Sequence, residues 1–360
     1  MRQKGVGEMQ RQCCCAIAIV VALCGIVSAH GLDIEASPLK TWLMGKVDLS
    51  AAGGSLTATE SNLEDFIDIF DSELEEVAGG FTFAEGPVWH KDGYLLFSDI
   101  DANKIYKYTP GGEVEIWREP SGKSNGLTFD CQWRLLACEH YNRRITRTEH
   151  NGSITVIADS YQGKRLNSPN DCVVRTDGTI FFTDPTYGIE EDNSNGIAEL
   201  DFKGVYRVKP GEEPVLLVDD FDTPNGIALS PDEQTLYVAD CWPKSHIRQF
   251  SINNDNTLSG GEVVKMPGRQ VVAPDGMTMD SEGRIFTSDF RGITIIDLDE
   301  NTCRTFSDNR IKGHLGEIYP ANCCFGDSDL RTLYITARTK LWKIRVKIPG
   351  LPAAGARARA

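Results

Sequence analysis

The stretch Phe83-Ala84-Glu85-Gly86-Pro87-Val88-Trp89 decides the fold, because its spacing to the next acidic residue recurs along the chain. Asp99 follows Glu85 after 14 residues and stands at the end of an apolar run. Five further polar residues are each followed, after a similar interval, by a residue at the end of an apolar run. The six pairs are Glu85 with Asp99, Asn125 with Glu139, Asn170 with Asp184, Asn225 with Asp240, Asp275 with Asp289 and Asn322 with Ala337. Each leading residue therefore opens an apolar strand that turns and returns beside it.

Each repeated unit has the same order of apolar segments and turns. A first strand is followed by a polar turn such as Thr176-Asp177-Gly178, a second strand rich in β-branched and aromatic residues, a third strand and often a fourth. Four short strands in a recurring unit are typical of β-propeller blades. We predict an all-β, six-bladed β-propeller over residues 76–348. A pair of β-sandwiches is the alternative, but sandwiches do not repeat one unit with a constant internal offset.

Composition and charge narrow the class of function. The 360 residues are 41% hydrophobic, which is enough for a large core. The formal net charge is −15, so the surface repels a polyanion and we expect no nucleic-acid partner.

The beginning of the chain has the pattern of a targeting signal. Basic residues are followed by an apolar run from Cys13 that ends in Val27-Ser28-Ala29, where small residues suit a signal peptidase. We predict a signal peptide over residues 1–29, the secretory pathway, and an extracellular or periplasm-like compartment without stable membrane insertion after cleavage. An uncleaved membrane anchor is the alternative. Residues 30–75 are predicted as a partly disordered or helical lead-in, and residues 349–360 as a disordered tail.

The cysteines do not follow a metal-binding pattern. Of eleven, four lie in the predicted signal and seven remain without a paired C-x-x-C spacing, so a zinc knuckle is not expected. Cys131 and Cys138 lie on opposite arms of one predicted hairpin and can form a disulfide if they face each other.

The six leading residues are predicted to form a ring. The innermost strands of a propeller line a central channel, so equivalent positions converge there. The ring consists of Glu85, Asn125, Asn170, Asn225, Asp275 and Asn322. The acids at the returning ends are expected beside it, in support of the ring residues. Asn-Gly after Pro is also a frequent turn, but six positions in register, one of them a Glu, favour the ring.

The ring supplies carboxylate and amide oxygens without His or Cys. Oxygen donors suit a hard divalent cation, first of all Ca²⁺, with Mg²⁺, Mn²⁺ or Zn²⁺ as alternatives. The carboxylates of Glu85 and Asp275 would neutralise its charge. We therefore predict one divalent metal ion in the channel.

Seven stretches resemble the SMP-30/gluconolactonase family, which includes luciferin-regenerating enzyme, and they look closest to its gluconolactonase branch. They are residues 83–89, Ser124-Asn125-Gly126-Leu127, Cys138-Glu139-His140 with Asn142-Arg143-Arg144, Ser168-Pro169-Asn170-Asp171, residues 183–188, Pro224-Asn225-Gly226 and Pro274-Asp275-Gly276. The resemblance implies a six-bladed propeller with a divalent metal, often calcium, in its channel. It also implies hydrolysis of sugar lactones. The matching metal-ligand positions are Glu85, Asn170, Asn225 and Asp275.

The expected reaction is metal-dependent hydrolysis of a sugar lactone. The cation polarises the lactone carbonyl and stabilises the oxyanion as water adds. By analogy with the family, Asp275 is the candidate general base, and pure ligation is its alternative role. Asn125, His140 and Tyr187 are predicted to contact the sugar, although a lone His in a β protein is more often structural. Arg143 is predicted as a solvated or blade-bridging charge.

Two other functions fit the same ring. One is hydrolysis of phosphotriesters or arylesters, which an aromatic pocket favours and a polar, hydroxyl-rich pocket disfavours. The other is a non-catalytic propeller that binds calcium or a protein. The acidic residues Glu85 and Asp275 argue for an enzyme, with a small-molecule sugar lactone as its partner.

Overall fold

The computed structural model of the protein describes residues 69–190, 193–266, 271–300, 302–306 and 320–357. The chain divides into two units, Met1–Asp68 and Ile69–Ala360, and all described residues belong to the second. The predicted signal peptide and most of the predicted lead-in therefore lie outside the described residues. Among the described residues, no helix is both long enough and apolar enough to cross a membrane.

Twenty-four strands and one short helix are described. The strands are β1 Glu75–His90, β2 Tyr94–Asp99, β3 Lys104–Tyr108, β4 Val114–Arg118, β5 Ser124–Phe129, β6 Leu135–Glu139, β7 Arg144–Thr148, β8 Ile154–Ala158, β9 Ser160–Tyr161, β10 Lys164–Arg165, β11 Cys172–Val174, β12 Ile180–Asp184, β13 Gly204–Val208, β14 Val215–Val218, β15 Pro224–Leu229, β16 Thr235–Asp240, β17 His246–Ile252, β18 Leu258–Val263, β19 Met277–Met279, β20 Ile285–Asp289, β21 Gly292–Asp297, β22 Thr302–Phe306, β23 Asn322–Gly326 and β24 Thr332–Arg345. The helix, α1, spans Ala354–Arg357.

The strands form an all-β, propeller-like arrangement. Four sheets have four strands each in simple chain order, β5-β6-β7-β8, β11-β12-β13-β14, β15-β16-β17-β18 and β19-β20-β21-β22. Neighbouring strands in these sheets are antiparallel. The predicted unit of four short strands is confirmed in these four sheets. A fifth sheet has the order β23-β24-β1-β2-β3-β4, and β9 and β10 form a small ribbon.

Polar turns join the first and second strands of each unit, as predicted. In the turn between β11 and β12, Gly178 has a φ of 85°, a left-handed conformation that glycine adopts without steric cost. Its N–H donates to the Arg175 carbonyl at 2.9 Å. The Asp177 carboxylate accepts the N–H of Thr179 at 2.9 Å. Local hydrogen bonds of this kind turn the chain within a few residues.

The hydrophobic core lies between adjacent sheets. Leu136 and Ile145 of one sheet pack in a single cluster with Phe182 and Tyr206 of the next. The rings of Phe182 and Tyr206 stack with their centroids 5.1 Å apart. Each sheet therefore buries its apolar faces against its neighbours, as expected where sheets are arranged around an axis.

The long strand β1 joins the two ends of the described chain. Its first half pairs with β24, with Ala78 opposite Leu341. Its second half pairs with β2, with Trp89 opposite Leu95. Since β24 follows all other strands in sequence, this pairing connects the last described sheet segment to the first.

The predicted disordered tail is wrong for its described part, residues 349–357. Leu351 N–H donates to the Met279 carbonyl at 3.0 Å, Ala354 is 2% exposed, and an added Cβ at Gly355 would lie 2.6 Å from Trp133 Nε1. Small residues are needed for this close contact, and composition alone does not reveal a tertiary contact of this kind. Met279 ends an inner strand, so the tail crosses the strand ends that lie away from the ring.

An ion pair fixes the end of this tail. Arg357 Nη1 lies 3.2 Å from Glu233 Oε1, and Arg357 Nη2 donates to the Val174 carbonyl at 3.0 Å. Glu233 also accepts the Thr176 hydroxyl at 2.6 Å. The Arg357 and Glu233 side chains are 16% and 9% exposed, so the pair is largely shielded from water.

Arg357→Met is expected to lower the free energy of unfolding by roughly 2–4 kcal/mol, because it leaves the largely buried Glu233 carboxylate with Arg175, 3.9 Å away, in place of its nearer cation. Urea unfolding of Arg357→Met, Glu233→Gln and the double variant measures the coupling. We expect the double variant to lose less than the sum of the single losses. Additive losses would show that the pair does not hold the tail.

Candidate functional site

Side chains of the predicted ring touch one another. Asn125 Nδ2 donates to Asn170 Oδ1 at 2.7 Å, and Asn170 Nδ2 donates to Asn225 Oδ1 at 2.5 Å. The Asn322 side chain hydrogen-bonds the Glu85 carboxyl. All five side chains are buried. The structure therefore brings together residues separated by more than two hundred positions in sequence.

Asp275 takes its place between Asn225 and Asn322. An added Cβ at Gly226, the residue after Asn225, would lie 2.1 Å from the Asp275 carbonyl oxygen. An added Cβ at Gly276, the residue after Asp275, would lie 1.9 Å from Asn322 Cγ. Asp275 is half-buried. Its neighbours on both sides are thus the ring residues that the repeat predicts.

Glycine follows four of the six ring residues, and the close approach of inner strands explains it. An added Cβ at Gly86 would lie 2.1 Å from the Asn125 carbonyl oxygen, and one at Gly126 would lie 2.7 Å from that of Asn170. No side chain fits at such distances. These glycines allow neighbouring strands to meet, so the turn interpretation of the Asn-Gly pairs does not apply to them.

Two buried carboxyl groups lie at the ring, and no basic residue of the described part of the chain pairs with them. Burial raises the pKa of Glu85 to about 7, against the opposing effect of hydrogen bonds from Gly86 N–H and Asn322. Burial and the charge of nearby Glu85 raise the pKa of Asp171 to about 8. Among the described residues, neither carboxyl group forms a salt bridge. Negative charge in this place is costly unless a cation shares it.

His140 lies directly beside the ring. Its Nε2 is 3.1 Å from Asn170 Oδ1 and 3.3 Å from Asn125 Nδ2, and the residue is 5% exposed. The imidazole therefore contacts the amide of a predicted metal ligand.

Tyr187 belongs to the long segment between β12 and β13. The next residue, Gly188, packs on His140, because an added Cβ there would lie 2.5 Å from His140 Cβ. Gly188 N–H donates to Ser168 Oγ at 2.9 Å. Half-buried Tyr187 thus lies in a segment that covers His140. Its distance from the ring could not be predicted from the spacing of the repeats.

Arg143 is fully buried and bridges two segments of the chain. Its Nε donates to the carbonyls of Leu166 and Asn167, both at 2.9 Å, and its Nη1 donates to that of Ile197 at 2.8 Å. The solvated alternative is wrong, and the bridging alternative is confirmed. Leu166 and Asn167 lead to Asn170, so Arg143 supports the backbone that carries this ring residue.

The family comparison covers the whole set of repeated units. The family described as SMP-30/Gluconolactonase/LRE-like region matches residues 83–339. The chain belongs to this family. Its six ring residues all lie within the matched region.

Relatives within this family cover most of the chain. The gluconolactonase of Zymomonas mobilis is 30% identical, over 96% of this chain and 99% of the relative. The solved gluconolactonase of Xanthomonas campestris is 32% identical with a TM-score of 0.68, covering 79% of this chain and 93% of that one. A regucalcin structure from Agrobacterium tumefaciens, at 18% identity and a TM-score of 0.60 over 77% of this chain and 96% of that one, shares the fold.

The returning acids of this family member do not support the ring side chains, contrary to expectation. Asp240 accepts the backbone N–H groups of Asp222 at 3.1 Å and Thr223 at 2.8 Å. Asp184 likewise accepts those of Asn167 and Ser168, both at 2.8 Å. These acids fix the loops that lead into the inner strands.

A β-bulge explains this difference. Trp89 pairs with Leu95, and continuing that register would place Asp99 opposite Glu85. A register shift between Glu85 and Val88 places Asp99 opposite Ala84 instead. Side chains alternate along a strand, so Asp99 points away from the side that Glu85 occupies. The same shift follows Asn125 and Asn225.

Asp240→Ala is expected to cost stability and to leave metal binding unchanged. The substitution leaves two backbone N–H groups without their acceptor, which lowers the free energy of unfolding by roughly 1–3 kcal/mol. Urea unfolding measures the loss, and calcium titration of the folded variant measures affinity. A large loss of calcium affinity in a folded Asp240→Ala protein would show that Asp240 does support the ring residues.

Sequence reasoning missed Asp171 as a buried carboxyl group beside the ring. It stands directly after Asn170, where four other ring residues are followed by glycine. Its carboxylate accepts the Cys172 N–H at 2.9 Å. The charge of nearby Glu85 adds to burial in raising the pKa of Asp171. The replacement of glycine by an acid in an otherwise regular repeat was the signal for it.

Proposed function

We propose that this protein is a metal-dependent hydrolase of sugar lactones, with Ca²⁺ as the preferred ion. The observation that carries the proposal is the ring, in which buried carboxyl and amide oxygens gather while no described basic residue pairs with Glu85. The gluconolactonases among its relatives support the choice of substrate class. The ring side chains are polar throughout, which suits a polyhydroxylated substrate better than an aromatic one.

We also propose that the fold has six blades. Five ring residues precede an inner strand or lie within its first two positions, and Glu85 lies inside β1. The described strands form five sheets of four or more strands. Two inner strands, β1 and β23, share the six-stranded sheet. The pairing of β24 with the first half of β1 supports a sixth blade completed by the beginning of the propeller region.

Glu85, Asn170, Asn225 and Asp275 are the proposed ligands. Among the described residues, no three His, Cys, Asp or Glu side chains gather into a metal site, so amide oxygens must complete the set. Two carboxylates and two amides form an oxygen-only donor set that fits Ca²⁺ and leaves positions for water and substrate.

Cation binding is expected to reorient the amide of Asn170. Its Nδ2 now faces Asn225 Oδ1. A half-turn of the amide directs Asn170 Oδ1 toward Asn225 Oδ1, as two ligands of one ion require. The same rotation directs Nδ2 toward His140 Nε2, which accepts a hydrogen bond in the neutral imidazole. The Asn125 amide would then have to turn as well, so that its oxygen faces Asn170 Nδ2.

A divalent cation in the ring supplies a Lewis acid for the lactone carbonyl oxygen. Asp275 takes a proton from the attacking water as its oxygen bonds to the carbonyl carbon. Cleavage of the bond between that carbon and the ring oxygen then opens the lactone, and the proton passes to the departing alkoxide. A carboxylate within reach of water is the general base that this reaction needs.

The substrate contacts are proposed for Asn125, His140 and Tyr187. Asn125 and His140 border Asn170 directly, so they can orient hydroxyl groups next to a carbonyl at the ring. Tyr187 lies one residue from the glycine that covers His140. A sugar bound between these side chains would be held over the ligands.

Parallel rate measurements on three substrate classes test this function. Calcium-loaded protein is assayed with glucono-lactone, with a phosphotriester and with an aryl ester. We expect the lactone to give the highest kcat/KM. A higher value for the phosphotriester or aryl ester would favour that activity, and no turnover of any substrate by protein that binds calcium would favour a non-catalytic propeller.

We propose that residues 1–29 direct export through the secretory pathway. The basic start, apolar run and Val27-Ser28-Ala29 support cleavage after Ala29. Mass analysis of the amino terminus of cell-derived protein tests this, with His30 expected as the first residue. A retained apolar run in membrane-bound protein would indicate an anchor.

A further inference from the structure

We infer that Cys138 and Cys172 form a disulfide that joins two adjacent sheets of the propeller. Cys138 lies on β6 and Cys172 begins β11. The structure describes seven cysteines, all as free thiols. The inference rests on where these two thiols are directed and on what surrounds them.

The repeat shows where the Cys138 side chain points. In three other units the residue before the returning acid is Ser98, Thr183 or Ser288. Their hydroxyls donate to a carbonyl of the next unit's inner segment, at 2.7, 2.8 and 2.6 Å respectively. Cys138 stands in the same place before Glu139, so its thiol is directed at the inner segment of the following sheet.

Cys172 lies in that segment, two residues after Asn170. Burial and the neighbouring Cys172 thiol raise the pKa of Cys138. The two residues belong to the same core cluster and are 0% and 2% exposed. They lie on neighbouring sheets within one buried cluster, so a disulfide between them would cross from one sheet to the next.

The other hairpin cysteine has different neighbours. Cys131 Sγ lies 3.7 Å from the Arg175 carbonyl and 3.6 Å from that of Thr176. The sequence left open a disulfide between Cys131 and Cys138. The structure instead directs Cys138 at the segment that contains Cys172, and Cys131 at the carbonyls of Arg175 and Thr176.

The oxidant for this step is a disulfide of a small thiol compound or of a thiol oxidoreductase. One cysteine thiolate attacks the oxidant disulfide and releases one reduced thiol. The second cysteine thiolate then attacks the mixed disulfide, forms the Cys138–Cys172 bond and releases the other thiol. Two protons and two electrons leave the protein, and the oxidant becomes two thiols. Burial in the folded state then shields the bond from reductants.

The crosslink would fix the segment that carries Asn170 against the preceding sheet. Asn125 belongs to that sheet and already donates to Asn170 Oδ1 at 2.7 Å. A covalent bond between the sheets limits their separation in the unfolded chain and holds the two ring residues in register.

Peptide mapping of the full chain tests the inference. The protein is refolded in reduced and oxidised glutathione, alkylated in denaturant without reduction and digested. We expect one crosslinked species that contains Cys138 and Cys172, lighter than the two free peptides by two hydrogens. Alkylation of both cysteines would overturn the inference, as would a crosslink from Cys138 to any other cysteine.

Thermal unfolding supplies a second measurement. Reduction in denaturant followed by refolding under a reductant is expected to lower Tm by roughly 5 °C or more. Cys138→Ser should show the low Tm in both conditions. The matched control is Cys323→Ser, which alters another buried thiol and should keep the difference between oxidised and reduced protein. An unchanged Tm on reduction of the wild type would contradict the crosslink.

Discussion

Glu85→Gln is expected to abolish measurable calcium binding at micromolar concentrations and to lower kcat/KM for gluconolactone by about 10³-fold, the scale of a lost electrostatic contribution to an oxyanion. The substitution keeps the shape of the side chain and its contact with Asn322. It removes one of the two negative charges that the proposed ligand set offers a cation. Isothermal titration with calcium and initial-rate assays measure the two effects.

Glu139→Gln is the matched control, since Glu139 is another fully buried glutamate. Its oxygens accept from Arg144 Nε at 2.8 Å and Thr146 Oγ1 at 2.8 Å, and Arg118 pairs with it as well. We expect the control to lose stability and to keep its calcium affinity. Equal losses of affinity in both variants would mean that Glu85 acts on the fold and not on the ion.

Asp275→Asn is expected to lower kcat by roughly 10²–10⁴-fold while calcium still binds, because an amide retains the oxygen donor and loses the proton acceptor. Four ring positions already carry asparagine, so we expect cation binding to tolerate the change better than proton transfer does. Rate assays at saturating calcium separate the two roles. Activity near the wild-type rate would remove Asp275 as the base.

An exchange of the two side chains sharpens this test. The double variant Asp275→Asn/Asn225→Asp keeps the total charge of the ring and moves the carboxylate to the neighbouring unit. It should bind calcium like the wild type and remain as slow as the single variant. Recovery of activity in the double variant would show that ring charge, and not the place of the carboxylate, controls the rate.

The ring was predictable from the sequence because the spacing between each leading residue and the end of its second strand is nearly constant. Hairpins of the same length put these leading residues at equivalent positions in each unit. Asn125 and Asn225 lie near the starts of inner strands and Glu85 lies inside β1. Each of these strands returns after a short turn, so equivalent side chains converge. The side of the strand to which the returning acids point was not predictable in the same way. A bulge after Glu85 shifts the register by one residue and reverses which side Asp99 faces.

Contacts between distant segments account for the remaining differences. The tail around Ala354 is short of large apolar residues, and only its fit against Trp133 and other residues of the propeller orders it. Arg143 gave no sequence signal of burial, since its partners are backbone carbonyls. Asp171 broke a regular pattern and could have been found by comparing the residue after each ring position.

Calcium-dependent hydrolysis of gluconolactone is the measurement that tests the central claim most directly. Chelator-treated protein is titrated with calcium while bound calcium and initial rate are followed on the same sample. We predict negligible rate without calcium and a rate that rises in proportion to occupancy of one site. A rate that is the same with and without bound calcium would contradict a ring-bound ion as the basis of catalysis.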